Sequence, residues 1–185
     1  AFKEMFLKFQ KLVGLLIIPM GIGIFCYRNF ITVVLLGGQW GEAANFIGLW
    51  GLSSAFMIVL SHFSSEVYRA LGRPKLSALS QILHIIVLCP AMLIAVKYGW
   101  EVIYTTRAVV RIEAIAVNLV ILYVVANIST WEMIANITPS ILASCVMVLF
   151  AIVLQTAGDS YLWSIISIII CILIYFLSIS LFKTE

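Results

Sequence analysis

The chain has 185 residues, 64% of them hydrophobic and only 10% charged, with a mean hydropathy of +1.17. Soluble domains carry charge on about a quarter of their residues, so a water-soluble globule is excluded and an integral membrane protein is expected. The net charge of +3 arises from eleven scattered basic residues rather than a basic face, which excludes nucleic acid as a partner.

The first apolar run, residues 12–36, follows a basic amphipathic lead-in carrying Lys3, Lys8 and Lys11 and is interrupted by a polar Arg28-Asn29 break. Pro19 is the expected kink, and with Gly21 it forms an expected hinge, flanked by Gly14 and Gly23. Gly37, Gly38 and Gly41 then make a loop around Trp40, an aromatic of the kind that prefers the membrane interface. The second run, residues 43–66, holds only His62 as a chargeable group before it ends at Glu66. The segment YRALGRPKLSA follows, in which Gly72 and Pro74 turn the chain and Arg69, Arg73 and Lys75 supply charge.

The third run, residues 76–97, is interrupted by His84 and Pro90 and closes on Lys97, Tyr98, Gly99 and Trp100. The fourth spans residues 102–126 and contains Arg107, Arg111 and Glu113. After a polar loop at 127–136, the fifth covers 137–155 with Pro139 in its first turn, where proline is tolerated. The sixth, residues 161–182, follows the turn Ala157-Gly158-Asp159-Ser160. Each run approaches the roughly 20 residues that cross a bilayer. The expected fold is therefore an all-α bundle of about six transmembrane helices in one domain over residues 1–185, with short loops making consecutive helices antiparallel neighbours.

Basic residues orient the bundle, because cytoplasmic loops are enriched in Lys and Arg. Lys3, Lys8, Lys11, Arg69, Arg73, Lys75 and Lys183 fall on one side, and Arg28 and Lys97 on the other. Both termini and the LGRPK loop are thus expected in the cytoplasm, and the Trp40 loop outside. The chain begins at Ala1 rather than at a methionine, its first apolar run is too long for a signal peptide, and no small-residue cleavage site follows. It reads as starting in mid-protein.

Arg107 and Arg111 are the leading site candidates. Four residues apart, they share one helix face one turn from each other. Ionisable groups within a span usually face a bundle interior or an aqueous cavity, and two guanidinium groups there suit a phosphate or pyrophosphate. Two placements fit: into the lumen toward substrate, or late entry of the helix near Val109 with both arginines snorkelling to outer headgroups. Glu113 is close enough along the helix to neutralise one of them. His62 and Glu66 are also one turn apart and, with Tyr68 and Arg69, form a polar patch at the inner end of the second span. Such a pair suits proton coupling, or else Glu66 pairs with Arg69 or Arg73 at a solvated helix end. His84 reads as a hydrogen-bonded interior group. Cys26, Cys89, Cys145 and Cys171 stand alone in apolar runs without CxxC spacing, so neither a metal nor a cofactor is expected. Nucleophile triads, paired catalytic carboxylates and phosphate-cradling loops are missing, with Glu42, Glu101 and Asp159 in separate outer loops, so an enzyme is not expected.

The order IIPMGIGIF, then LLGGQWGEAANFIGL, then YRALGRPKLSALSQI resembles the C-terminal half of the polysaccharide transporter family, the O-antigen and teichuronic-acid flippases of the MOP superfamily that also contains MATE drug exporters. That family typically shows a proline-containing span, an L-x-G-x-x-W-x-x-A loop and an L-G-[RK]-x-K loop at this spacing. The likeness covers nearly the whole chain, the last two spans matching only in hydropathy. Where members continue with a G-x-x-G-x-A stretch, this chain has YGWEVIYTTRAVVRIE.

The resemblance implies one lobe of a two-lobe, MATE-like flippase of twelve to fourteen helices, with the N-terminal lobe of the same protein as its missing partner. It further implies a bacterial cytoplasmic membrane and movement of an undecaprenyl-pyrophosphate-linked oligosaccharide by alternating access, for cell-surface polysaccharide. Arg107 and Arg111 would then meet the pyrophosphate or acidic sugars, with membrane lipids around the bundle. The competing readings are a MATE-type drug or cation exporter, which needs a deep carboxylate for which Glu113 is the candidate, and a membrane-embedded polysaccharide-biosynthesis enzyme.

Overall fold

The structure is a computed structural model and describes residues 2–158 and 160–182. Ala1, Asp159 and Lys183, the last of which belongs to the expected inner charges, lie outside the described residues. The eight α-helices of the described residues are α1 (Phe2–Cys26), α2 (Arg28–Leu36), α3 (Ala44–Met57), α4 (Ser64–Ala70), α5 (Lys75–Ala95), α6 (Trp100–Ala126), α7 (Thr130–Thr156) and α8 (Tyr161–Phe182). Six helical segments are long and apolar enough to cross a membrane, and no strand occurs among the described residues. The result is an all-α membrane bundle.

Local chemistry explains where the helices differ from the hydropathy runs. The basic lead-in is the start of α1 itself, since alternating lysines and apolar residues continue the helical face backward to Phe2. Pro19 is accommodated within α1, and the break comes later, at Tyr27, with φ −100° and ψ 21°. α7 starts at Thr130 because Ser129 and Glu132 form a capping box. Pro139 therefore lies inside α7 rather than in its first turn. A π-helical turn at Ile58–His62 joins α3 to α4.

The LGRPK turn closes α4 with two bonds: Arg73 N–H to Tyr68 C=O at 2.8 Å and Gly72 N–H to Arg69 C=O at 3.0 Å. This is the pattern of a Schellman cap, and Gly72 at φ +70° takes its left-handed position. Pro74 then stands just before α5, where its missing N–H costs nothing.

Neighbours in space depart from simple chain order. The helices form a row in which α5 packs on α6, α6 on α3, α3 on α1, α1 on α7 and α7 on α8. The second and fourth spans run parallel, since Phe46 meets Tyr104, Trp50 meets Arg111, and Ser61 meets Asn118. The first and fifth are parallel too, tied by Lys3 to Glu132 at one end and Gln155 to Cys26 at the other. Consecutive spans α6 and α7 touch little, so the expectation of antiparallel neighbours throughout is corrected.

Small residues make the central crossing close. A Cβ on Gly21 would stand 2.3 Å from Ala55 Cβ, and one on Gly51 would stand 2.7 Å from Ile24 Cγ2. In lipid, association rests on such close approach. Gly21 thus packs α1 on α3.

Candidate functional site

The polar groups of α6 converge on α3 and α5. By the helical rise of 1.5 Å per residue, Arg107 lies about 10 Å and Arg111 about 16 Å along α6 from Trp100. Arg111 is 8% exposed and turned onto α3, donating from Nη1 to Ser54 Oγ at 2.5 Å, Ser53 Oγ at 2.9 Å and Trp50 C=O at 3.3 Å. Its guanidinium carbon lies 3.8 Å from the Trp50 ring centroid. Hydroxyls and a π face together satisfy a cation that hydrocarbon would reject.

Arg107 is half-buried on the same face, 5.8 Å from the Trp50 ring. Its Nη1 lies 3.4 Å from His84 Nε2 on α5, and His84 Nδ1 lies 3.0 Å from Glu113 Oε2. An arginine can only donate, so this contact is a hydrogen bond only in the tautomer that leaves Nε2 bare and carries the ring proton on Nδ1, facing Glu113. Glu113 reaches Arg107 only through His84, which corrects the expectation of direct neutralisation along α6.

The polar patch around α4 is divided. His62, Glu66 and Arg69 are exposed and line a cleft of about 160 Å³ that also takes in Ser61, Gln81, His84 and Asn118. Glu66 pairs with Arg69 at 2.8 Å, while no hydrogen bond joins Glu66 to His62, because the π turn ends between them. Tyr68 does not line the cleft but is fully buried behind it, donating to Asn118 Oδ1 at 3.1 Å. Asn118 Nδ2 in turn donates to Ser61 Oγ at 2.9 Å. Arg73 and Lys75 remain exposed at the turn.

Sequence reasoning passes over Trp50, Ser53, Ser54 and Asn118 and keeps His84 apart from the arginines. The available signal is weak: an asparagine in an apolar stretch of α6, and two serines one turn beyond a tryptophan in α3.

A family model described as a polysaccharide biosynthesis protein matches residues 1–45. No curated protein and no solved structure matches the chain. The matched stretch takes in α1, α2 and the Trp40 loop, and ends as α3 begins. Together with six membrane-length helices, it supports a multi-pass membrane protein with a role in polysaccharide synthesis or export.

Proposed function

We propose that the chain is one lobe of a flippase that moves an undecaprenyl-pyrophosphate-linked oligosaccharide across the bacterial cytoplasmic membrane by alternating access, its N-terminal lobe completing the path. The observation that carries this reading is the arginine pair on one face of α6, inside a helix of membrane-spanning length and shared by one tryptophan. The family match over residues 1–45 supports the polysaccharide class of cargo.

A hydrated sugar and a pyrophosphate are costly to carry past hydrocarbon, and fixed cations lower the cost for the phosphate end. The two arginines divide the work. Arg111 is held by three acceptors on α3 and serves as a fixed positive charge. Arg107 meets His84 through a single long contact, so most of its five N–H donors remain for a ligand. The lipid tail stays in the bilayer, and Arg69, Arg73 and Lys75 hold the LGRPK turn on the cytoplasmic face. A drug or cation exporter would need a carboxylate open to its cargo, whereas Glu113 is engaged by His84.

The test is surface polysaccharide in cells expressing the Arg107→Gln, Arg111→Gln double variant. Loss of export with normal protein in the membrane is expected, and normal export would overturn the assignment of the arginines.

A further inference from the structure

The chain has two histidines, and they differ in setting. His62 is exposed at the inner end of the second span, whereas His84 is buried between α5 and α6 and is one of the residues that line the inner cleft. On its far side stand Glu113 and Arg107 of α6. Across the cleft stand His62, then Glu66 and Arg69 of α4, the last two paired with each other. The cleft has space for roughly five waters at liquid density, and its serines, amides and charges give them partners.

We propose that His84 is an internal proton-binding site, reached from the inner cleft, whose occupancy decides whether Nη1 of Arg107 is engaged by the ring or left to a ligand. In the neutral imidazole, Nε2 accepts from Arg107. A proton arriving through the cleft binds that same lone pair, forming an Nε2–H bond with no electron transferred. The acceptor for Arg107 is then gone and a like charge takes its place, while Glu113 keeps its bond to Nδ1–H. Histidine is the side chain suited to this at cellular pH. The freed guanidinium and the added imidazolium charge both favour an incoming oxyanion, so proton and anion bind with positive linkage. This last consequence rests on the reading of Arg107 as the anion-receiving residue.

The test uses the His62→Asn chain in nanodiscs, which leaves one histidine, with ¹⁵N NMR of that ring and of Arg107, the latter assigned by its loss in Arg107→Gln. Two results are expected. The neutral ring carries its proton on Nδ1, and on acidification the Arg107 signals move over the same pH interval in which His84 gains its second N–H. A neutral ring protonated on Nε2, or Arg107 signals that stay fixed while His84 protonates, would overturn the proposal. Neither readout needs a substitution at His84. In the added variant His84→Gln, the Arg107 signals should no longer follow pH.

Sulfate, whose charge is constant over this range, then serves as the anion. It should bind roughly tenfold tighter at about pH 5 than at about pH 8, and lose that difference in His84→Gln. Equal affinity at both pH values would overturn the control of Arg107. Linked signals from His84 and Arg107 with no sulfate binding at either pH would leave the proton site standing and remove the phosphate reading instead.

Discussion

The Arg111 guanidinium lies over the Trp50 ring at 3.8 Å, with Ser53 and Ser54 closing the same side from one turn further along α3. Two parallel spans are thereby joined by a charge, an aromatic face and two hydroxyls. Removing the acceptors should be worse than weakening the stack. Ser53→Ala with Ser54→Ala leaves a buried cation short of partners, at a cost of about 1–3 kcal/mol. Trp50→Leu loses a cation–π contact worth about 0.5–2 kcal/mol. Thermal unfolding of the detergent-purified chain orders these variants, and Arg111→Lys should also lose stability because an ammonium cannot reproduce the planar fork.

Gly21 and Gly23 distinguish packing from flexibility. Gly21→Leu should destabilise the bundle by about 1–3 kcal/mol, because its Cβ position is already occupied by Ala55. Gly23→Ala should be neutral or mildly stabilising, since nothing lies within 4 Å of its Cβ position. Equal loss in both, followed by thermal unfolding, would overturn the packing role given to Gly21.

The Tyr68, Asn118 and Ser61 chain links the second and fourth spans at their C-terminal ends. Tyr68→Phe should cost about 0.5–1.5 kcal/mol. Asn118→Leu should cost more, about 1–3 kcal/mol, because it removes the side-chain partner of Ser61 and leaves the buried tyrosine hydroxyl only the longer bond to the residue-118 carbonyl. Hydrogen exchange at the π turn, residues 58–62, should rise in the Asn118 variant more than in the Tyr68 variant.

Orientation follows from the exposed loops. In a cysteine-free background, Gln39→Cys should react with a membrane-impermeant maleimide on intact cells, and Arg73→Cys only after lysis. The reverse pattern would invert the charge-based assignment.

The Ser129 cap is a small, separable contribution. Ser129→Ala should lower stability by about 1 kcal/mol. Glu132→Gln should lower it less, because Glu132 pairs with Lys3 at an exposed site, where an ion pair contributes little.

Hydropathy determined the all-helical membrane class and the number of spans, because a bilayer imposes one length on every crossing and excludes open sheet edges. The LGRPK turn was equally legible, since glycine and proline carry their own backbone preferences. The starts of α1 and α7 were not legible in this way. Lysines mask the beginning of α1, and the capping box that opens α7 is polar enough to pass for loop.

The row order α5, α6, α3, α1, α7, α8 belongs to the tertiary structure alone. In lipid an apolar face does not reveal whether it meets a neighbour or an acyl chain, so hydropathy carries no record of which spans touch. The same limit governs the site. The spacing of Arg107 and Arg111 put them on one face, but only the parallel packing of α6 on α3 gave Arg111 to Trp50 and the serines. Only the packing of α5 on α6 set His84 between Glu113 and Arg107, groups that lie 29 and 23 residues from it along the chain.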